Sequence, residues 1–211
     1  MINRYEYCGF KCPVCGSIKL YNRRTYFDAA EDKEDLEKLL SGEYLTVECP
    51  HCHSIFYNYG FLYEDNKKEK SIFFNTPNGL KTVFLFKDFS AESCYTVDNY
   101  DDMRDCIFSI EHNLDWWVIK LAKAMIKKEF IASCVNKGFV DLELGKAFLF
   151  EEENENMFYI ELKNDDFCSV AKIASDFYLS IKNRYYKKTL AFVKKHYYLD
   201  DAFVDKLLNE E

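Results

Sequence analysis

Cys12-Pro13-Val14-Cys15 and Cys49-Pro50-His51-Cys52 are the two stretches that decide the fold of this chain. A Cys-x-x-Cys turn directs two sulfurs at one tetrahedral ion, while nearby N–H groups point at the sulfurs. Proline at the second position fixes φ near the value that a tight turn requires, and it has no N–H to leave unpaired. Because two copies supply four thiolates, we expect these four cysteines to bind one structural zinc ion.

The segment between the two motifs must itself fold. It contains 33 residues, which is longer than the roughly 15–20 residues of an ordinary zinc ribbon. Asp28 and Glu31 have the spacing of a capping box, and the leucines that follow recur at helical intervals until Gly42. The sequence therefore predicts one short helix inserted between the motifs.

Two other interpretations of the motifs remain open. Cys8, His51 or His53 could replace one of the four thiolates, since zinc accepts both sulfur and imidazole ligands. Cys-Pro-His-Cys is also a motif of oxidising thioredoxin-like proteins, where it opens a helix after a strand. A strand pattern follows the motif here, and a second copy has no use in that mechanism, so we favour a structural site.

Composition excludes several classes of protein. The chain has 211 residues with 48% hydrophobic and 18% aromatic residues, which is far from a disordered composition. The N-terminus lacks an apolar signal core and no uncharged run reaches membrane-spanning length, so we expect a cytoplasmic protein with reduced cysteines and no membrane partner. A net charge of −8 disfavours a general nucleic-acid binder.

Strands are predicted on both sides of each motif. Their ranges are Arg4–Tyr7, Ile18–Phe27, Tyr44–Glu48 and Ser54–Tyr63. The charged run 64–70 reads as an exposed turn, and the turn residues 76–79 predict a hairpin between 71–75 and 81–87.

The second half alternates between helical and strand patterns. It begins with a helical turn (100–104) and a strand (106–110), followed by an amphipathic helix from Asp115 with Trp117, Val118, Leu121 and Ala122 in its apolar stripe. A hairpin (139–151 and 157–162) is predicted next. Asp165 or Asp166 then caps a helix with a possible break near Asn183, and a last helix starts at Asp200; the apolar stripe of the capped helix contains Val170, Ile173, Ala174, Phe177 and Ile181.

Together these patterns predict an α+β protein. A zinc-ribbon-like lobe with an inserted helix, residues 1–70, would join a body of mixed or antiparallel β-sheet packed by helices, residues 71–211. We expect the two parts to form one continuous unit.

Candidate binding residues lie in the second half. Cations alternate with aromatics in the C-terminal segment, at Lys187, Lys188, Lys194 and Lys195, which is a surface type that stacks bases and neutralises phosphates. A solvated lysine face with tyrosines packed inward explains the same pattern and fits the net charge better. The adjacent Trp116 and Trp117 point about 100° apart on a helix, so an exposed one could anchor a protein partner.

Catalytic residues are harder to identify. His112 and His196 could serve a thiol-based enzyme, although sequence cannot place them beside a cysteine. Four cysteines lie singly among apolar residues and are expected to be small buried hydrophobes: Cys94, Cys106, Cys134 and Cys168.

The chain resembles the CpXC-domain family, a bacterial family named for its two Cys-Pro-x-Cys motifs. Three further segments resemble the family pattern: Asp35–Gly42, Phe61–Asp65 and Asn113–Leu121. The resemblance implies a zinc-ribbon-like lobe and no general enzymatic activity. Family motifs commonly continue with glycine, as Cys15-Gly16 does, whereas His53 follows Cys52 and implies local strain or a different turn.

The sequence therefore favours a non-catalytic, zinc-stabilised binding or adaptor protein that acts through protein contacts. Two alternatives are a nucleic-acid-binding zinc-ribbon module that uses the basic C-terminal segment and an enzyme with an unrecognised thiol or histidine site. The partner and the oligomeric state do not follow from the sequence.

Overall fold

The computed structural model describes residues 4–57, 60–75, 93–134, 143–152, 155–163, 168–196 and 198–210. The chain divides into two compact units, Met1–Met103 and Arg104–Glu211. Its helices and mixed sheets confirm the α+β class. The division expected after residue 70 stays a prediction. None of the described helices combines the length and the apolar character needed to cross a membrane.

The first unit is built from short strands and one inserted helix. Its described elements are β1 (Tyr5–Lys11), β2 (Ile18–Arg24), β3 (Tyr26–Asp28), α1 (Lys33–Leu40), a 3₁₀ turn (Glu43–Leu45), β4 (Thr46–Glu48), β5 (Ile55–Tyr57), β6 (Phe61–Asp65), β7 (Lys70–Phe74) and β8 (Cys94–Val97). Strands β1 and β2 form one antiparallel pair, and β4 and β5 form another. The third sheet has the order β3-β6-β7-β8, with an antiparallel centre and parallel outer pairs.

Two predicted strands differ in detail. The predicted strand 44–48 begins with the 3₁₀ turn, and the predicted strand 54–63 contains two strands, β5 and β6. The predicted hairpin partner at 81–87 lies outside the described residues. Strand β7 pairs with β6 on one side and with β8 on the other.

Aromatic side chains form the core of the four-stranded sheet. Phe61 and Phe74 are paired across β6 and β7, and their rings stack at 5.0 Å. Phe27 of β3 meets Phe61 edge-on at 5.3 Å. All three side chains are buried, and burial of each contributes roughly 1.5–3 kcal/mol.

A buried arginine ties β2 to helix α1. The Arg24 side chain is only 2% exposed and its Nη2 lies 2.7 Å from Asp32 Oδ1. Its Nη1 bonds Asp35, and its Nε donates to the carbonyl of Tyr26 at 3.1 Å. The guanidinium also lies 4.5 Å from the centre of the Phe27 ring. Arg24 thus holds the inserted helix beside the β1–β2 pair.

The inserted helix is confirmed, but its predicted cap is wrong. Asp32 is the N-cap of α1, and the carboxylate of Asp28 instead accepts the N–H groups of Ala30 and Glu31 in the preceding turn. Asx turns of this kind compete with helix capping for the same side-chain type. Gly42 follows the helix with φ +90°, as expected for a C-terminal stop.

The second unit contains helices and one antiparallel sheet. Its described elements are α2 (Tyr100–Glu111, within which the division falls), α3 (Trp116–Cys134), β9 (Glu143–Glu152), β10 (Glu155–Lys163), β11 (Cys168–Ile173), α4 (Ser175–His196) and α5 (Asp201–Asn209). The sheet has the order β11-β10-β9. Asp200 caps α5 as predicted, because its Oδ1 accepts the N–H of Phe203 at 2.6 Å.

Two elements of the second half were wrongly predicted. Residues 106–110 belong to helix α2, and five consecutive buried residues show no helical period of their own. Residues 168–173 form strand β11 rather than the first turns of a helix capped at Asp165 or Asp166. Helix α4 then runs without a break at Asn183.

Helix α3 is central to the second unit's core. Val118, Leu121 and Ala122 are buried as predicted, and Ile119 is buried as well. The buried Lys123 forms an ion pair with the buried Asp105 of α2.

Candidate metal centre

The two cysteine motifs form the turns of the two small antiparallel pairs. We call residues 12–17 the first knuckle, which joins β1 to β2, and residues 49–54 the second knuckle, which joins β4 to β5. Each knuckle repeats the same two backbone hydrogen bonds. In the first, Gly16 N–H donates to the Cys12 carbonyl and Cys12 N–H donates to the Ser17 carbonyl, both at 2.8 Å.

The four cysteine sulfurs converge on one point. All four Sγ atoms lie within 4.8 Å of one another. Two of the contacts join the knuckles, at 3.6 Å from Cys12 to Cys52 and 3.5 Å from Cys15 to Cys49. A tetrahedral zinc site with Zn–S bonds of about 2.3 Å places its sulfurs roughly 3.8 Å apart. The cluster could therefore hold one metal ion of this size.

The two knuckles share a left-handed backbone at the residue after the second cysteine. Gly16 has φ +74° and His53 has φ +58°. Glycine adopts this conformation freely, whereas a side chain with a Cβ is strained there. Of the two expectations for His53, local strain or a different turn, the repeated turn and the positive φ support the first. The imidazole Nδ1 lies 2.7 Å from Glu48 Oε1.

Hydrogen bonds lower the pKa of two of the cluster thiols, whereas burial raises the pKa of a third. The Ser17 hydroxyl lowers the pKa of Cys49 to about 5, assisted by the backbone N–H groups of Cys52 and His51. The same hydroxyl and the Ser17 backbone N–H lower the pKa of Cys15. Burial raises the pKa of Cys12 to about 11. The cluster therefore contains two thiols whose surroundings favour the thiolate that a metal requires.

The alternative ligands lie outside the cluster. Among the described residues, the group able to hold a metal consists of the four knuckle cysteines alone. The Cys8 thiol instead contacts the Tyr21 hydroxyl across the β1–β2 pair. His51 and His53 are exposed.

Sequence reasoning missed two residues that contact the cluster. Ser17 Oγ lies 3.2 Å from both Cys15 Sγ and Cys49 Sγ, and Ser54 Oγ lies 3.3 Å from Cys52 Sγ. Each serine stands two residues after the second cysteine of its motif. Aligning the two motifs as Cys-Pro-x-Cys-x-Ser would have revealed this shared position.

The two tryptophans differ in exposure. Trp116 is 2% exposed and belongs to the core, so it presents no surface to a partner. Trp117 is half-buried, and its ring contacts Tyr186 at 6.4 Å.

The C-terminal lysines lie on helix α4. Lys187, Lys188, Lys194 and Lys195 are all exposed. Lys188 forms an ion pair with Glu210 at 3.1 Å. Tyr185 of the same helix is buried, and Tyr186 is partly covered by its contact with Trp117.

The remaining cysteines and histidines are dispersed. Cys94 and Cys106 are buried as expected, but Cys168, the first residue of strand β11, is exposed. The side chain of Cys134 lies outside the described residues. The His112 ring packs on Phe108 and the His196 ring on Phe192, and each of these pairs lies one helical turn apart.

Neither histidine lines either of two cavities formed by the described residues. One cleft of about 190 Å³ lies in the first unit and includes Lys19, Tyr21 and Tyr44 among its walls. An apolar groove of about 610 Å³ lies in the second unit, between α3 and β11.

The β1–β2 pair exposes an apolar face, which we call the ribbon face. It contains four exposed apolar side chains: Tyr5 (45% exposed), Tyr7 (68%), Ile18 (67%) and Leu20 (62%). The strand register pairs Gly9 with Leu20 and Lys11 with Ile18, which places all four side chains on the same side of the pair. The opposite face is covered in part by Phe56, whose ring lies 5.2 Å from that of Phe10.

Comparison with known families and structures gave one match. The family model described as CpXC protein matches residues 10–123, more than half of the chain, and includes both knuckles. No curated protein and no solved structure matches the chain.

Proposed function

This chain belongs to the CpXC family, and we propose that it is a non-catalytic protein-binding module whose first unit is stabilised by one structural zinc ion. The proposal includes a cytoplasmic location, because a reducing compartment keeps the four thiols available to a metal.

The assignment of zinc rests on the donor set. Four thiolates in a tetrahedral arrangement select zinc or iron, and zinc is the usual occupant of paired Cys-x-x-Cys knuckles. Four protein ligands leave no open position for water or substrate. Such an ion stabilises a fold and supplies no catalysis.

The small two-stranded pairs of the first unit would gain stability from such an ion. Both knuckles connect two-stranded pairs, and an isolated two-stranded pair is marginally stable in water. A single ion bound at both turns joins the β1–β2 pair to the β4–β5 pair. The structural zinc ion of a small domain contributes on the order of 10 kcal/mol to folding.

The ribbon face is the observation that carries the binding role. Four exposed apolar side chains lie on one side of a hairpin whose turn contains two of the cluster cysteines. Contiguous exposed apolar surface is characteristic of interaction sites. Two charged residues share this side of the pair: Arg24, which is buried opposite Tyr5, and Lys11, which is exposed beside Ile18. We therefore expect a protein partner that brings apolar side chains together with a carboxylate.

The nucleic-acid alternative has weaker support. Binding of single strands combines cations with aromatic rings on which bases stack. Helix α4 exposes the cations, but Tyr185 is buried and Lys188 is paired with Glu210. This arrangement favours the solvated lysine face.

The enzyme alternative also has weaker support. His112 packs against Phe108 of helix α2 and His196 against Phe192 of helix α4, and neither histidine lines the cleft of the first unit or the groove of the second described above. Catalytic groups are expected to converge in a concave site.

The binding role is tested by capture from a lysate of the native host with the full chain as bait. A partner is accepted only when the purified protein binds the wild-type chain, binds at least about tenfold more weakly to a Tyr7→Glu, Leu20→Glu variant, and binds normally to Val170→Glu. Val170 is exposed on β11 and serves as the control. Equal binding to all three chains, or binding only of nucleic acid, contradicts the proposal.

A further inference from the structure

The two serines that follow the cysteine motifs occupy equivalent positions. Ser17 and Ser54 are both half-buried, and each hydroxyl oxygen lies beside the second cysteine of its own knuckle. The free Cys52 thiol donates to Ser54 Oγ, whereas a metal-bound Cys52 thiolate would accept from this hydroxyl. Ser17 also contacts the second knuckle, since its Oγ lies 3.2 Å from Cys49 Sγ. One hydroxyl therefore contacts a sulfur from each half of the cluster.

Hydrogen-bond donors are divided between the cysteines in a regular way. The first cysteine of each motif accepts backbone N–H groups of its own turn, as in the contact from Cys15 N to Cys12 Sγ at 3.5 Å. Cys49 accepts the N–H of Cys52 in the same way. The second cysteines, Cys15 and Cys52, each lie within reach of the serine hydroxyl of their own knuckle, and Cys49 is in addition within reach of Ser17.

Four thiolates around a divalent ion carry a net charge of −2, so each added donor stabilises the loaded cluster. A hydrogen bond also withdraws electron density from sulfur and makes the thiolate a poorer nucleophile. This matters most at Cys15, which is the exposed ligand of the four.

We propose that Ser17 and Ser54 are positioning residues of the metal centre, that they control how tightly and how long the metal is held, and that Ser17 has the larger effect because it links the two knuckles. This inference rests on the proposed zinc site. Ser17 holds the Cys15 and Cys49 sulfurs in register, while Ser54 acts within one knuckle.

The test uses the full zinc-loaded chain and two measurements, competition with a chelator and the rate of zinc release during reaction with iodoacetamide. Ser17→Ala is expected to lower zinc affinity about 10- to 100-fold, the usual effect of removing such a partner, and to speed release. Ser54→Ala changes both quantities in the same direction by less. Ser17→Thr keeps the hydroxyl and restores values near wild type.

Ser41→Ala is the matched control, because the Ser41 hydroxyl bonds the Lys38 carbonyl at the end of α1. This variant should behave like the wild type. Cobalt substitution supplies a readout that a purely structural role would not change. Loss of the Ser17 hydroxyl makes the thiolates better electron donors, so the sulfur-to-cobalt charge-transfer band moves to lower energy.

The outcomes separate this inference from the proposed function. Unchanged affinity, release rate and cobalt spectrum in Ser17→Ala would overturn the role of the serines while leaving the zinc site intact. If Ser17→Ala fails to fold, Ser54→Ala and Ser17→Thr decide, and a wild-type result for Ser54→Ala contradicts the inference. A wild-type chain that binds no zinc contradicts the proposed function itself.

Discussion

Gly16 and His53 occupy the same position in the two knuckles, and both have a left-handed backbone, with φ +74° and +58°. The cost of that conformation falls on His53 alone, since glycine has no Cβ. Its exposed contact with Glu48 offsets little of the cost.

The paired position yields opposite predictions for two substitutions. Gly16→Ala should lower the free energy of unfolding by about 1 kcal/mol, although a Cβ at this site meets no atom within 4 Å. His53→Gly should raise it by up to about 1 kcal/mol. Urea denaturation of the zinc-loaded chains, followed by circular dichroism, measures both. A stabilising Gly16→Ala change would mean that the backbone is not strained at this position.

The two neighbouring arginines of β2 should differ sharply in their contribution to stability. Arg24→Ala removes one of the two arginines that pair with the buried Asp32, which keeps Arg4, and also removes the bond to Asp35, so it is expected to cost about 1.5–3 kcal/mol. Arg23→Ala removes an ion pair with the exposed Glu6 and should cost at most about 1 kcal/mol. Urea denaturation compares the two variants. Similar losses would contradict the role assigned to Arg24.

The stability of the first unit should fall at high pH through Tyr44. Burial, and then the hydrogen bond from its hydroxyl to Asp35, raise the pKa of Tyr44 to about 12. The unfolded tyrosine ionises near pH 10, so between pH 10 and 12 the folded state holds a proton that the unfolded state has lost. This contribution to stability is therefore complete below pH 10 and disappears as the pH rises through 12.

Tyr44→Phe tests that mechanism. Its free energy of unfolding should depend less steeply on pH between 10 and 12 than that of the wild type, because one raised pKa has been removed. Denaturation at several pH values in this range provides the comparison. An unchanged slope would show that Tyr44 is not the group responsible.

The sequence predicted correctly that the four cysteines converge, because cysteine spacing is a local signal. Two residues between paired cysteines already determine the turn, so Cys12 and Cys15 could be assigned without knowing the rest of the fold. The serines were missed because a hydroxyl contact between knuckles, from Ser17 to Cys49, depends on tertiary structure. Only the repetition of serine at matched positions offered a sequence signal.

The errors in the second half also have physical causes. Helix α2 buries Asp105 and Ser109 along with its apolar residues, so the pattern of buried and exposed positions loses its period. In β11, Val170 and Ile173 happen to keep helical spacing with the residues of α4. These residues form a strand because β11 pairs with β10, and the local sequence pattern does not indicate that pairing.

The central claim is that one zinc ion is bound by the four cysteines of the knuckles. Native mass spectrometry combined with elemental metal analysis tests it most directly, on the wild-type chain, Cys49→Ser and the exposed control Cys168→Ser. One zinc per chain is expected in the wild type and in Cys168→Ser, and loss of the ion is expected in Cys49→Ser. A folded, metal-free wild-type chain, or stoichiometric iron in place of zinc, would contradict the claim.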